Sequence, residues 1–295
     1  MKTLQERLLV GDNAFIGVNH LSQESLRSRQ KLDPKEIGEI INIALESGAQ
    51  GLVCSDNPLV VDALQHLKLL QYRREFGIFL ILPDVRRYLE IVSDNGTVGL
   101  AKEILGDLSL TSRLKLIVGG GLAAAKWDPS SILGSYLSAQ VSTFEKKTPS
   151  SSRVRAVLLH EMVTELIVSF NLQSLCRNFI DLASDSLGVM PGFVTRNFAS
   201  FVKFAKVAGI ELERIIVMTP FNKVGFQMNP SLEACEAALA STKDANIIAM
   251  SILAGGYLSL AEACQYLESL PVDVTRVIGV SSRKQAEVTF TLARS

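Results

Sequence analysis

The sequence predicts an α/β fold, a (β/α)8 TIM barrel that runs through residues 1–295 as one domain. Three observations carry this expectation. Short apolar runs ending in polar clusters recur from one end of the chain to the other, the segments between them have helical spacing, and no G-x-G-x-x-G turn follows the first run as a doubly wound nucleotide-binding sheet would require.

The runs, in order, are "RLLVGDN", "GLVCSDN", "IFLILPD", "KLIVGGG", "AVLLHE", "PGFVTRN", "RIIVMTP", "NIIAMSI" and "RVIGVSS". Continuous stretches of Val, Ile and Leu suit strands buried on both faces, the signature of a parallel sheet. Nine runs are one more than the barrel needs. The extra strand outside it is expected to be "RLLVGDN", or "KLIVGGG" after the long helical stretch 86–112.

The helices carry their own punctuation. In "DPKEIGEIINIALESGAQG", Asp33 is a candidate N-cap and Pro34 takes the first helical position. Ile37, Ile40, Ile41 and Ala44 share a face, and Gly48 closes the segment. "DPSSILGSYLSAQVSTFEKK" and "NPSLEACEAALAST" repeat the Asx-Pro start. "KKTPSSSR", at 146–153, reads as a surface connection.

Composition narrows the partners. Thirty basic and thirty acidic residues balance, and no block of one sign stands out, so the electrostatic case for nucleic acid or an anionic membrane is missing. The expected partner is a small molecule, anionic or phosphorylated; homo-oligomerisation is left open. "MKTLQERLLVGD" lacks the regions of a secretory signal, and "AVLLHEMVTELIVSF" is interrupted by His160, Glu161 and Glu165, so a cytoplasmic location is expected. Cys54, Cys176, Cys235 and Cys264 are scattered with no C-x-x-C pair, which indicates neither a zinc knuckle nor a redox dithiol.

In such a barrel, chemistry sits at the C-terminal ends of the strands. Asp12 and Asn13, Ser55 to Asn57, Asp84, His160 and Glu161, Thr195 to Asn197, Ser251, and Ser281 to Arg283 all fall there. The densest cluster is "MTPFNKVGFQMN" after "RIIV", where Thr219, Asn222, Lys223, Gln227 and Asn229 form a substrate-holding loop. Asp, Asn and Ser in these places are also the preferred caps of the next helix.

His160 ends "AVLLH" and should point into the mouth, where a group titrating near neutrality acts as acid, base or ligand. His20 follows the first run in a loop, and His66 falls within a helix. His20, Asp56, His160 and Glu161 lie in separate units with no spacing that fixes two metal ligands on one element, so no metal site is assigned. Cys54 beside Ser55 and Asp56 reads as a nucleophile or, more simply, as a small apolar strand residue. Gly255 and Gly256 in "LAGGY", with Ser281, Ser282, Arg283 and Lys284 opening the last helix, suit an anion held by backbone N–H groups.

Several of these segments together resemble the aldo-keto reductase superfamily. "AVLLHE" looks like its strand ending in the active-site histidine, "PGFVTRN" its next strand, "NIIAMSILAGGYLS" its following turn, and "VTRVIGVSSRKQAEVTFTLA" its closing strand, phosphate loop and helix. The resemblance covers the second half of the chain. It implies a nicotinamide cofactor, NADPH included, with His160 catalytic, Asn197 contacting the nicotinamide and Ser281 with Arg283 or Lys284 on the adenosine phosphate. The family's aspartate would fall at Asp56. Its tyrosine has no counterpart before Tyr72, and neither "IFLILPD" nor "KLIVGGG" ends in its lysine.

The leading expectation is a barrel enzyme using His160 with Glu161 or Asp56 as acid–base groups. Lys223 adds charge or a Schiff-base amine, and Asp12, Asn13, His20, Arg196, Asn197, Thr219, Asn222, Gln227 and Asn229 hold substrate. A divergent nicotinamide oxidoreductase and a non-catalytic metabolite-binding barrel are the alternatives.

Overall fold

The computed structural model describes residues 4–16, 32–69, 74–84, 129–242 and 244–294. Eight parallel strands close into a barrel in sequence order: β1 Leu8–Gly11, β2 Gly51–Ser55, β3 Phe76–Leu82, β4 Ser152–Leu159, β5 Met190–Val194, β6 Ile216–Pro220, β7 Asn246–Met250 and β8 Thr275–Gly279. β1 closes the ring by pairing with both β2 and β8, Val10 lying opposite Leu52 on one side and Ile278 on the other. "RLLVG" is thus a barrel strand; "KLIVGGG" and the stretch 86–112 lie outside the described residues.

Described helices follow the strands on the outside: α1 Pro34–Glu46, α2 Pro58–Leu69, α3 Pro129–Lys147, α4 Glu161–Ser169, α5 Gln173–Asp181, α6 Phe198–Ala208, α7 Leu232–Ala240, α8 Leu260–Glu268 and α9 Arg283–Arg294. α1 starts as its sequence predicts, with Asp33 accepting from the Glu36 N–H while the Glu36 side chain reaches back to the cap backbone. α7 departs from expectation. Ser231 is its N-cap, accepting from Ala234 N–H, so the Asn229–Pro230 step precedes the helix. None of these helices is long and apolar enough to cross a membrane.

Two apolar layers result from strands buried on both faces. Inside the barrel, Leu9, Val53, Phe79, Leu158, Met218 and Ile248 pack against one another; outside, the helices bury a larger shell that includes Ile37, Ile40, Leu64, Phe193 and Phe201. Phe193 of β5 meets Phe179 of α5 edge-on at 5.3 Å and Phe201 of α6 at 5.2 Å, which fixes the helices flanking β5. Where strands press closest, the sequence supplies glycine: a Cβ on Gly51 would lie 2.5 Å from the Gly77 carbonyl oxygen of β3.

Candidate active site

A cavity of about 530 Å³ opens at the C-terminal ends of the strands. Its floor is apolar, from Val53, Ile81, Val194, Met218 and Met250, and its rim is polar. Of the residues expected to form a site, Asp12, Asn13, His160, Glu161, Arg196, Gln227, Gly255, Gly256 and Ser281 line it; Ser55, Asp84, Ser251 and Gln285 join them.

His160 is set by local structure. It directly follows β4 and is the N-cap of α4, where its Nδ1 accepts the Met162 N–H at 3.2 Å. An acceptor at Nδ1 leaves Nε2 to carry the proton of the neutral ring. Burial lowers the pKa below its ordinary value; nearby Asp84 opposes the shift and Arg196 adds to it. With Nδ1 accepting and burial favouring the uncharged ring, His160 offers an N–H at Nε2.

Carboxylates occupy the wall formed by β1 to β3. Asp12, 4% exposed, accepts from Ser55 N–H at 2.8 Å and from Ser55 Oγ at 3.1 Å, both at Oδ2. Burial raises its pKa from 3.8 to about 6, opposed by the Ser55 bonds and reinforced by Asp84. Asp84 stands just beyond the end of β3, near where the resemblance calls for a lysine, and accepts from Asn57 Nδ2 at 3.1 Å. Asp56, expected to be catalytic, takes the Asp84 N–H on Oδ1 at 3.1 Å and does not line the cavity. It holds the end of β3 in place.

On the opposite side, Arg196 lines the wall at the end of β5, with Nε 3.0 Å from Glu161 Oε2. Glu161 is therefore an ion-pair partner rather than a carboxylate directed at His160. Burial raises its pKa, and the Arg196 charge opposes that shift.

The loop after β6 is organised by Asn222, which is fully buried. Its Oδ1 accepts the Phe226 N–H at 2.8 Å, and its Nδ2 donates to the carbonyls of Phe226 at 2.9 Å and Ser251 at 3.3 Å. Such a group is spent on the fold, not on a substrate. It clamps two loops whose residues hold left-handed backbone: Gln227 at φ 61°, Ser251 at φ 54° and Ala254 at φ 47°. Residues of this kind cost about 1–3 kcal/mol each and collect at functional sites. Ser251 Oγ donates to Gln227 Oε1 at 3.3 Å across the rim.

Other expected site residues lie elsewhere. Lys223 is exposed and pairs with Glu262 of α8 at 3.0 Å, an interaction that helps push the Glu262 carboxyl down to about 2. An exposed, ion-paired ammonium lacks the burial that a Schiff-base amine requires, which removes the physical basis for that role. Thr219 is buried in β6 and Asn229 is exposed; neither lines the cavity. Asn197 precedes α6, where its N–H donates to Thr195 Oγ1 at 2.9 Å and its Oδ1 is buried with no hydrogen-bond partner. His20 lies outside the described residues. Burial raises the Cys54 thiol pKa, with Asp12 and Asp56 adding to the shift, which opposes a nucleophilic role. Among the described residues, no group of three or more His, Cys, Asp or Glu side chains could hold a metal ion.

The anion loop is satisfied from within. Gln285 Oε1 accepts from Ser281 N–H at 2.9 Å and from Ser281 Oγ at 3.3 Å, Ser282 Oγ accepts from Gln285 N–H at 3.2 Å, and Arg283 pairs with Glu39 of α1.

No family model matches the sequence, and no curated protein matches it. Solved structures do. A Pseudomonas aeruginosa protein assigned as an aldo-keto reductase superposes with a TM-score of 0.55 at 12% identity, over 97% of this chain and 89% of its own. The chain is a TIM barrel that resembles the aldo-keto reductases. Gox0644 in its apo form gives a TM-score of 0.53 at 8% identity, over 99% and 92% of the two chains. The aldose reductase of Schistosoma japonicum gives 0.52 at 11%, over 99% and 87%. At these identities the likeness is one of fold.

Ser55, Asp84 and Ser251 each close or follow an apolar run, as a helix cap also does, and only the closed barrel separates the two roles. Gln285 lies in the first turn of α9 and has no such signal in the sequence.

Proposed function

We propose that this barrel is an enzyme acting on a carbonyl-bearing small molecule, with the His160 Nε2–H polarising the carbonyl oxygen and Asp12 moving the proton. The observation that carries this reading is the Met162 N–H on His160 Nδ1, which assigns the ring its donor role. A neutral imidazole donor and a carboxylate titrating near neutrality form the pair that proton abstraction next to a carbonyl requires. Asp12 Oδ1 takes the proton from the carbon beside the carbonyl, the electrons move onto the carbonyl oxygen, and the Nε2–H stabilises the resulting enolate. Return of the proton to the same carbon completes an exchange; in a 2-hydroxy carbonyl compound the enolate oxygen takes the proton of the adjacent hydroxyl, and delivery of the carbon proton to the former carbonyl carbon then completes an isomerisation.

Incubating the protein in D2O with dihydroxyacetone, glyceraldehyde and pyruvate, and following carbon-bound protons by NMR, tests this reading. It predicts deuterium wash-in that Asp12→Asn abolishes and His160→Asn slows at least tenfold. Absence of exchange in all three compounds would refute it.

A second reading, nicotinamide-dependent carbonyl reduction, draws support from the likeness in fold to aldo-keto reductases. Asn197, which the resemblance would set against the nicotinamide, does not line the cavity. A nicotinamide would supply a hydride to the same polarised carbonyl. Of the groups expected on the adenosine phosphate, Ser281 is engaged with Gln285 and Arg283 with Glu39, while Lys284 is exposed at the start of α9. An arriving phosphate would have to displace the first two pairs.

A further inference from the structure

We infer that the mouth takes a carbonyl compound carrying a carboxylate next to the carbonyl, the 2-oxo acid class, and that Glu161 occupies Arg196 as an internal stand-in for that carboxylate. The inference rests on the carbonyl reading and deepens it.

Arg196 is held in an uneven way. Its backbone is clamped on both sides: the N–H donates to Glu165 Oε1 at 3.2 Å, and the carbonyl accepts the Asn229 N–H at 2.9 Å. Glu165 Oε1 also takes the Thr195 hydroxyl at 2.6 Å, which fixes the preceding residue. The side chain has a looser hold. Its Nε sits 3.0 Å from Glu161 Oε2 as an ion pair, yet the N–H is not aligned for a hydrogen bond, and the two side chains keep 36% and 27% of their exposure. A rigid backbone with an exchangeable side-chain partner is the arrangement a binding guanidinium needs.

Position supplies the substrate class. Arg196 and His160 line the same cavity, and the Arg196 charge acts on the His160 ring, so a carboxylate on Arg196 lies near the group that polarises the carbonyl. A 2-oxo acid joins its carboxylate and carbonyl by a single bond and presents both groups to adjacent partners. Arg196 is the one Arg or Lys lining the cavity among the described residues, and a planar guanidinium matches a carboxylate through two parallel bonds. Asp12 and Asp84 on the other wall disfavour a second negative charge at the far end, which selects monoanions. Burial already raises the pKa of the Glu161 carboxyl with Arg196 opposite, as expected of a carboxylate that can be displaced.

Calorimetric titration of the full chain with oxamate and with oxamide tests this directly, since the two differ in one terminal group and in charge. Oxamate is expected to bind and oxamide to bind at least tenfold more weakly. Glu161→Gln, which removes the competitor, should tighten oxamate several-fold. Arg196→Met should weaken it tenfold or more, with Arg196→Lys between. A purely structural ion pair would give Glu161→Gln no gain, and that result overturns the proposal, as does equal binding of oxamate and oxamide or no oxamate binding by either wild type or Glu161→Gln. Should Arg196→Met not fold, Glu161→Gln and Arg196→Lys still decide. Oxamate binding that persists in Asp12→Asn while deuterium exchange is lost separates this inference from the catalytic reading beneath it.

Discussion

Met162 donates its backbone N–H to His160 Nδ1 at 3.2 Å, so a helix cap and the tautomer of a mouth-lining histidine are one interaction. The first turn of α4 leaves its N–H groups without intrahelical partners, and the imidazole satisfies one of them. The sequence motif that begins the helix also presets the chemistry of the ring. Long-range nitrogen–proton NMR should therefore show a neutral ring protonated at Nε2 and not at Nδ1.

The same ring makes a stability prediction. Its folded pKa lies below 6.5, so the unfolded chain binds the proton more tightly. The contribution is present above 6.5 and is lost as pH falls through the folded value. Replacing His160 with Asn, which keeps a cap acceptor, should flatten the fall in melting temperature over that acid range.

Asp12 acts in the opposite sense. A carboxyl raised from 3.8 to about 6 gives stability that is fully present below 3.8 and lost as pH rises through about 6. Asp12→Asn keeps an acceptor for Ser55 and removes the buried charge. Its stability relative to wild type should climb between about pH 4 and pH 8 by at most roughly 3 kcal/mol, because a tenfold difference in proton affinity between the folded and unfolded chain is worth about 1.4 kcal/mol. Urea denaturation at several pH values measures this directly.

Asn222 and Gln227 should respond in contrasting ways. Asn222→Leu removes the side-chain partner of the Phe226 N–H and of the Phe226 and Ser251 carbonyls at a part-buried position and should cost about 2–4 kcal/mol. Gln227→Gly relieves left-handed backbone at φ 61° and should stabilise by about 1 kcal/mol. Chemical denaturation of both variants separates the clamp from the strain it holds.

Gly51→Ala tests the tightest strand contact. Its new methyl would meet the backbone oxygen of Gly77 at 2.5 Å, where no rotamer change gives relief. The β2–β3 pairing would have to shift, at a cost of about 1–3 kcal/mol measured by thermal melting.

The barrel is legible in the sequence because buried parallel strands must be apolar on both faces, so "GLVCS" and "IIVMT" stand out against their amphipathic neighbours. The mouth follows from the strand ends, which is what singles out His160, Asp12 and Arg196. What local pattern leaves undetermined is direction. Asp56 and Asp84 end consecutive units alike, yet one supports the other's backbone while the other faces the cavity. Asn222 and Gln227 sit in one loop, and only burial shows that the first is spent on the backbone. Lys223 has the chemistry of a site residue, but the fold turns it toward Glu262. Register and side-chain aim depend on long-range closure, which local pattern does not encode.

The most direct test of the account is the pH profile of deuterium exchange into a carbonyl substrate, with wild type and Asp12→Asn compared. If Asp12 is the base and neutral His160 the donor, wild-type exchange rises through about pH 6 to a plateau and Asp12→Asn shows none at any pH. A rate independent of pH, or equal exchange by the two proteins, would contradict the assignment.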